Sequence, residues 1–190
     1  MALMVFVGKL ITYQSLVFKM FIRTVQKKDY SKIKQLIITA FSDSSLGYHD
    51  EAELVNAIRQ DSSYNPELEV IATDKTQVVG HGLLSQIYIG KNKHGLALAP
   101  LSVLPAFQNQ GIGAQIITEL EKRAVHAGYD FISIMGWPKY YAKLGYVSAD
   151  KYGITAPFAV PADAYLVKAV RTHGLEQVHG QVRYLAAFGN

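Results

Sequence analysis

The sequence predicts an α/β (α+β) domain built on a mixed, mostly antiparallel central sheet with one parallel β-α-β crossover. Three observations predict this class. Strand-like and helix-like patterns alternate from Met20 to the C-terminus without a linker-like stretch. The first long strand-like runs are joined by a short polar turn, which is typical of an antiparallel hairpin. Two later apolar runs, Leu96–Val103 and Phe131–Met135, flank one amphipathic helix, and strands joined in this way lie parallel with a right-handed crossover.

The first elements follow directly after Met20. A strand is predicted over Phe21–Val25, and Asp29 is a favourable N-cap for the helix that follows it. The polar segment Phe41–Gly47 predicts a loop, and a second helix is predicted from about Asp50 to Arg59. The side chains expected to face the core are Ile33, Leu36, Ile37, Ala40 and Phe41 in the first helix and Leu54, Val55 and Ile58 in the second.

The middle of the chain predicts three strands. The runs Glu69–Thr73 and Val78–Ile89 are joined by the polar turn Asp74–Gln77, and a further turn follows at Gly90–Lys93. The run Leu96–Val103 is nearly all apolar. A continuous apolar strand is typical of a position buried on both faces, so this run is expected at the centre of the sheet.

The crossover and the last elements complete the predicted sheet. A helix is expected over Gly111–Ala127, with Gly128 in the position that usually ends a helix. After the strand Phe131–Met135, a short helix is predicted near Lys139–Leu144. The run Tyr165–Val170 is expected to be the last strand of the sheet.

Composition excludes several kinds of chemistry. The 190 residues are 49% apolar and 18% charged, which indicates a globular chain, and they include no cysteine. Disulfides, thiolate metal sites and a cysteine nucleophile are therefore excluded. His173 and His179 stand six apart with no carboxylate pattern, so no metal site is expected. A cysteine-free chain suits a reducing compartment, and a cytoplasmic location is expected.

The charge is mildly basic and evenly spread. The net charge is +4 and the pI is near 9.1, yet no basic run is longer than Lys27-Lys28. A nucleic-acid binder usually shows a concentrated basic stripe, and an anionic small ligand explains the balance equally well. Nucleic acid is therefore not expected as a partner.

Residues 1–19 require separate treatment. They are apolar but are interrupted by Lys9, and no small-residue cleavage site closes the segment. This pattern predicts neither a secretory signal nor a membrane span. We expect an N-terminal extension of unclear role over residues 1–19 and one domain over residues 20–190.

One stretch carries a pattern for anion binding. The run from Leu101 to Ala114 predicts a strand, a short turn, a glycine-rich loop and the start of a helix. Gly111 and Gly113 lack a Cβ atom, which allows a ligand to approach the backbone. The first turn of a helix leaves N–H groups without internal partners, and together these features form an anion site.

The spacing of the glycines excludes two common phosphate motifs. Ala114 and Gln115 follow Gly113, so the lysine and hydroxyl of a nucleoside-triphosphatase loop are missing. Ile116 stands where a dinucleotide-binding fingerprint requires a small residue. A Gly-x-Gly at a helix start is by itself more often a packing feature than a phosphate site.

Two motifs resemble those of a known family. Gln108-x-x-Gly111-x-Gly113, after Leu101-Ser102-Val103-x-Pro105, resembles motif A of the GCN5-related N-acetyltransferase (GNAT) superfamily. The run from Tyr140 to Tyr146, Tyr-Tyr-Ala-Lys-Leu-Gly-Tyr, resembles motif B. The lead-in Gly136-Trp137-Pro138-Lys139 and the C-terminal run from Gly180 to Phe188 are similar to a bacterial YhbS-like subgroup. The resemblance extends from Met20 to the C-terminus.

The resemblance implies the GNAT fold, acetyl-coenzyme A (acetyl-CoA) as the co-substrate, and a cofactor cleft where the two parallel strands splay apart. It implies that Val103 polarises the thioester carbonyl with its backbone amide. Leu101, Ser102 and Val103 would lie along the pantetheine arm. The backbone amides implied to hold the pyrophosphate belong to Gln108, Asn109, Gln110, Gly111, Ile112, Gly113 and Ala114.

The resemblance also implies a catalytic role for Tyr141. A departing thiolate with a pKa near 8.5 benefits from a proton donor, and a tyrosine with a pKa near 10 is protonated at neutral pH. The competing interpretation is that Tyr141 is a helix aromatic packed on the sheet. Tyr140 and Tyr146 match phenylalanine positions of the motif and are expected to pack.

The acceptor is expected to be a primary amine of a small molecule or peptide, attacked directly without an acyl-enzyme. His49, Glu51, Glu53 and His81 are candidate bases for the incoming ammonium, and each also has a purely structural interpretation. A non-catalytic acyl-CoA sensor that keeps motif A is the alternative function. A monomer or homodimer is expected, with no membrane partner.

Overall fold

The computed structural model describes residues 20–42, 47–75, 77–90, 93–161 and 163–189. The predicted extension at residues 1–19 lies outside the described residues. The helices are α1 (Tyr30–Ser42), α2 (Glu51–Gln60), α3 (Ile112–His126) and α4 (Pro138–Ala142). The strands are β1 (Phe21–Thr24), β2 (Glu69–Asp74), β3 (Gln77–Ile89), β4 (Lys93–Val103), β5 (Phe131–Met135), β6 (Val147–Ser148), β7 (Ile154–Thr155), β8 (Tyr165–Ala169) and β9 (Gly180–Arg183).

The strands form one mixed sheet in the order β1-β2-β3-β4-β5-β8-β6. Neighbours along this path are antiparallel except β4 and β5, which are parallel and are connected by α3. The predicted crossover is therefore confirmed. The prediction that Tyr165–Val170 is the last strand is wrong, because β9 pairs antiparallel with β3 and parallel with β7.

The start of α1 also differs from the prediction. Asp29 is not a simple N-cap but ends a 3-10 turn, Lys27–Asp29, that precedes the helix. Its carboxylate accepts hydrogen bonds from the backbone N–H of Gln26 at 2.9 Å and from the Arg23 guanidinium at 2.7 Å. The Asp29 carboxylate therefore caps the start of the 3-10 turn that leads into α1.

Helices cover both faces of the sheet. On one face, α3 buries its apolar side, and Tyr141 and Tyr146 lie in the same cluster. On the opposite face, α1 and α2 pack over β2 and β3. Within the part of the chain that the structure describes, no helix is long and apolar enough to cross a membrane. The α3 side chains in this core are Ile112, Ile116, Ile117, Leu120 and Ala124.

A steric requirement at Gly95 sets the packing of β4 beside β5. A Cβ at this position would lie 2.3 Å from Cε2 of the buried Phe131. We expect Gly95→Ala to lower stability by about 2 kcal/mol through overpacking, and to lower the Tm by several degrees in thermal unfolding. Combining it with Phe131→Leu removes the clashing ring atoms, so the two losses should be less than additive. Strict additivity would contradict this packing argument.

Candidate active site

The two parallel strands separate toward the carboxyl end of β4. Across the described residues, β4 pairs with β5 only at Leu96 with Ile132 and at Ala97 with Ser133, although β4 continues to Val103. Directly after this pairing the β3–β4 register shifts, so that Ala99 and Pro100 together face a single residue of β3. A bulge of this kind bends its strand, and β4 therefore diverges from β5. The splayed cleft expected from the resemblance is present.

The backbone of β4 beyond the bulge is only partly used by the sheet. The Leu104 N–H donates to the Val79 carbonyl at 3.0 Å, and the register places Ser102 opposite His81. Because alternate residues of an antiparallel strand point to opposite neighbours, Ser102 also bonds toward β3. The N–H and C=O groups of Leu101 and Val103 therefore point toward the cleft. A ligand in the cleft can add to β4 there in the manner of a strand.

The glycine loop next to this strand end has the geometry of an anion site. Gly111 has a φ of 80°, and a Cβ there would meet nothing within 4 Å. The first hydrogen bond of α3 runs from the Gln115 N–H to the Gly111 carbonyl at 3.1 Å. The N–H groups of Ile112, Gly113 and Ala114 precede that bond and have no partner within the helix. Because the first turn of α3 carries no acidic side chain, the positive helix end is uncompensated.

Side chains brace this loop from within. The Gln108 amide donates to the Val103 carbonyl at 3.0 Å, and the Gln110 amide donates to the Ala106 carbonyl at 3.1 Å. Asn109, between them, has a φ of 60°. These bonds tie the loop to the end of β4, so the anion site and the exposed backbone of Val103 form one continuous surface.

Helix α4 lies against the same loop. A Cβ on Gly113 would lie 2.6 Å from the Tyr140 hydroxyl oxygen and 3.6 Å from Cδ2 of Leu101. The structure therefore brings motif A and motif B into contact through Tyr140. This contact of the Tyr140 hydroxyl with Gly113 was not predicted from the sequence, which indicated only that Tyr140 packs. The available signal was the hydroxyl itself, which stands at a position where motif B commonly has phenylalanine.

Tyr141 stands at the end of β5. Its side chain is 9% exposed, and its ring covers Gly136, where a Cβ would lie 2.5 Å from Cε2. Tyr140 and Tyr146 contact it edge-on, with ring centroids at 5.0 and 5.9 Å. Burial raises the pKa of Tyr141 above its ordinary value of 10. The phenol is therefore neutral at physiological pH and capable of donating a proton.

Two exposed apolar side chains stand beside Tyr141. Met135 is 57% exposed and Trp137 is 65% exposed, at and just after the carboxyl end of β5. Exposed large apolar side chains at the mouth of a cleft are typical of ligand contact surfaces. Neither residue was predicted to contact a ligand. Trp137 was noted only as part of the lead-in to motif B, although a tryptophan just after a strand was a usable signal.

The two glutamates proposed as bases are engaged at the surface of α2. The Glu51 carboxylate accepts from the backbone N–H of His49 at 2.8 Å. Glu53 accepts from the Lys34 ammonium at 3.0 Å and from the Tyr48 hydroxyl. These contacts match the structural interpretation of both residues, as a solvated helix face.

The fourth candidate base, His81, belongs to a buried polar network on the α1–α2 face of the sheet. Its Nε2 lies 2.8 Å from Oε1 of Glu69, and neither side chain is exposed to solvent. The Arg59 guanidinium donates to both Glu69 oxygens, at 3.1 and 2.5 Å, and the Tyr64 hydroxyl donates at 2.6 Å. The Tyr30 ring stacks under the guanidinium at 3.8 Å. This network connects α2 and α1 to the sheet.

The network sets the ionisation of its members. Burial alone would raise the pKa of Glu69, but the hydrogen bonds from His81 and Arg59 outweigh it and lower this pKa from 4.5 to about 2. Burial lowers the pKa of His81, against the opposing effect of Glu69. At neutral pH the network therefore holds an ionised Glu69 and a neutral His81.

This lowered pKa predicts a pH dependence of stability. Because the folded pKa of Glu69 lies below its unfolded value, its contribution is complete above pH 4.5. We expect that contribution to disappear as the pH falls from 4.5 toward about 2, in urea unfolding followed at a series of pH values. Glu69→Gln should flatten the curve over that range. A variant with an unchanged slope would contradict the assignment.

Comparison with known proteins identifies the class of this fold and cleft. The model of the acetyltransferase (GNAT) family matches residues 31–146. The chain belongs to this family and has the GNAT fold, and it is an acyltransferase of the acetyl-CoA-dependent class. Among the described residues, no group of three His, Asp or Glu side chains is placed to hold a metal ion.

Particular relatives are bacterial. The uncharacterised N-acetyltransferase YjhQ of Escherichia coli is 30% identical over 142 residues, covering 72% of this chain and 75% of the relative. The crystal structure of Escherichia coli YhbS in complex with CoA superposes with a TM-score of 0.81 at 26% identity, covering 90% and 92% of the two chains. A Brucella melitensis GNAT acetyltransferase in complex with acetyl-CoA gives a TM-score of 0.73 at 30% identity, covering 90% and 99%.

Proposed function

We propose that this protein transfers the acetyl group of acetyl-CoA to a primary amine by direct attack of the amine on the thioester carbonyl. The observation that carries the proposal is the end of β4. There the backbone groups of Leu101 and Val103 face the β4–β5 cleft, directly beside the free N–H groups at the start of α3. Residues 20–190 form the transferase domain in this proposal.

The glycine loop and the end of β4 bind different parts of acetyl-CoA. The backbone amides from Asn109 to Ala114 bind the pyrophosphate, since that loop is open and adjacent to the positive end of α3. The N–H of Gln108, included in the set expected from the sequence, donates instead to the Pro105 carbonyl at 3.2 Å. Leu101 and Val103 pair with the amide groups of the pantetheine arm, whereas Ser102 bonds to β3. The Val103 N–H then polarises the thioester carbonyl in the manner of an oxyanion site with one donor.

Tyr141 acts as the general acid in this proposal. Its ring lies at the end of β5, on the other wall of the cleft from Val103. The C–S bond breaks as the amine nitrogen bonds to the carbonyl carbon, and the sulfur takes the electron pair together with the phenol proton. The phenol is protonated at neutral pH, and burial raises its pKa above its ordinary value.

The acceptor enters from the face covered by α1 and α2. The opposite face at this end of the sheet is occupied by α3 and α4. The acceptor class stays that of a small molecule or peptide carrying a primary amine. Support for the donor comes from the YhbS and Brucella relatives, whose structures contain CoA and acetyl-CoA respectively.

Calorimetry and a thiol-release screen test the proposal together. We expect acetyl-CoA to bind in the micromolar range and at least one member of a panel of amino acids, polyamines, aminoglycosides and peptides to release CoA thiol. Binding without thiol release across the panel would contradict acetyl transfer to a primary amine. Absence of binding at high micromolar acetyl-CoA would overturn the proposal.

A further inference from the structure

His81 has one ring nitrogen that the fold leaves unused. Its Nε2 is bonded to Glu69, but its Nδ1 is buried and has no hydrogen-bond partner among the described residues. Ser102 is its direct register partner on β4, and the buried Ser102 hydroxyl also has no hydrogen-bond partner among the described residues. Register partners on neighbouring strands point to the same face, with Cβ atoms about 5 Å apart. Two unsatisfied polar groups therefore adjoin each other on the α1–α2 face.

The chemistry of Glu69 decides which His81 nitrogen carries the hydrogen. An ionised carboxylate only accepts hydrogen bonds, so Nε2 is the protonated nitrogen. In the neutral ring Nδ1 is then a free base. A carboxylate on one ring nitrogen and an open lone pair on the other is the arrangement by which enzymes orient a histidine base.

The position of this base relates it to the proposed reaction. Ser102 directly precedes Val103, whose N–H is proposed to hold the thioester carbonyl. The α1–α2 face, where His81 and Ser102 lie, is also the face proposed for entry of the acceptor. Buried polar groups without protein partners commonly bind an ordered water, and two such groups in register form a polar site for one.

We propose that His81 is the general base for the acceptor, taking the ammonium proton through a water held between its Nδ1 and the Ser102 hydroxyl. This inference rests on the proposed function. Glu69 orients the ring and stabilises the imidazolium that forms, and Arg59 holds Glu69 in place. Glu69 and Arg59 act on His81 and do not touch the amine, so they are positioning residues.

The protons balance across the reaction. The ammonium gives one proton through the water to His81, and the free amine attacks the carbonyl carbon. The nitrogen loses a second proton as the C–S bond breaks, and the thiolate takes one proton from Tyr141. Tyr141 is then reprotonated, so one proton leaves to solvent and one remains on the CoA thiol for each amide formed.

The surroundings of His81 define the expected pH behaviour. Glu69 faces it from β2, Arg59 from α2, Tyr64 from the segment between them, and Ser102 from β4. Burial and Arg59 lower the pKa of His81, and Glu69 opposes them. The base is therefore already free at neutral pH, and kcat/KM should fall on the acid side as His81 becomes protonated.

His81→Gln tests the base, because the glutamine amide retains a donor for Glu69 but has no basic nitrogen. Propylamine and 2,2,2-trifluoroethylamine are the acceptors, two small primary amines of similar size. Propylamine is almost all ammonium at neutral pH, whereas trifluoroethylamine is largely unprotonated, and neither cleaves a thioester rapidly without a catalyst. We expect kcat/KM to fall by about 100-fold with propylamine and by less than about threefold with trifluoroethylamine. The Kd for acetyl-CoA should be unchanged.

The outcomes separate this inference from the proposed function. Equal losses with both acceptors, or no loss with either, would overturn His81 as the base and leave acetyl transfer intact. Absence of thiol release by the unaltered protein with these two acceptors and with every member of the amine panel would overturn the proposed function itself. Ser102→Ala should reproduce the selective loss in part. Ser85→Ala, which removes a buried hydroxyl on β3 instead of β4, is the matched control and should have no effect.

A measurement on the unaltered protein guards against variants that fail to fold. Nitrogen-15 spectra of histidine-labelled protein report which ring nitrogen carries the hydrogen. We expect His81 to show the Nε2–H form at neutral pH, with an unprotonated Nδ1. A Nδ1–H form would overturn the proposal, because no base would then face Ser102.

Discussion

Replacing Gly111 with Asp is expected to weaken acetyl-CoA binding by about 30-fold, or about 2 kcal/mol after salt screening. The carboxylate would stand among the N–H groups of the loop, where the pyrophosphate is proposed to bind, and like charges repel. The substitution is sterically tolerable, because a Cβ at Gly111 meets nothing within 4 Å. Aspartate also tolerates the left-handed conformation of this residue better than most side chains. Calorimetric titration with acetyl-CoA measures the change.

Gly128→Asp is a matched control at the other end of α3. Gly128 also has a positive φ, of 89°, with nothing within 4 Å of its Cβ position. Both variants therefore add the same charge at a residue with a positive φ, one at each end of the same helix. We expect Gly128→Asp to leave the Kd for acetyl-CoA unchanged. Equal effects of the two variants would show that the loop at Gly111 is not the phosphate site.

Replacing Tyr141 with Phe is expected to lower kcat by about a hundred- to a thousand-fold, which lies within the range typical for loss of an acid catalyst. The ring remains against Gly136, so packing and the Kd for acetyl-CoA should change little. Steady-state thiol release with a saturating amine measures kcat, and calorimetry measures Kd. A higher Kd for acetyl-CoA together with an unchanged kcat would assign Tyr141 to packing alone.

The pH profile and a second tyrosine sharpen this test. Tyrosine donates only while protonated, and the raised pKa of Tyr141 moves loss of the proton above pH 10. The alkaline decline of kcat should therefore begin above that pH. Tyr146→Phe removes a hydroxyl from the ring that contacts Tyr141 edge-on and should leave kcat nearly unchanged. An alkaline decline beginning near neutral pH would contradict the assignment of Tyr141.

Local patterns were sufficient to predict most of the fold. The apolar period and the flanking glycines placed α3 within one residue of its observed bounds, and the two apolar runs predicted the parallel pair β4 and β5. The strand β9 was not predictable in this way. It has four residues, of which Val182 is buried, and its partners β3 and β7 are distant in sequence.

The features of the candidate site with a local sequence signal were likewise predictable, and those formed by distant residues were not. The loop from Gln108 to Ala114 is local, so its glycine spacing predicted it directly. The bulge that opens the cleft had a local signal too, because Pro100 interrupts an apolar strand and proline is rare inside paired strands. The hydrogen bonds of Glu69 to Arg59 and His81 had no local signal in the sequence. Arg59 lies ten positions before Glu69 and His81 lies twelve positions after it, so only folding brings the three together.

Transfer of the acetyl group itself is the most direct test of the account. The purified protein is incubated with acetyl-CoA labelled with carbon-13 at the carbonyl and with the best acceptor from the amine panel, and the carbonyl is followed by NMR. We expect the thioester signal to be replaced by an amide signal in step with CoA thiol release, with no labelled protein. A label that stays in the thioester, goes to free acetate or becomes attached to the protein would contradict it.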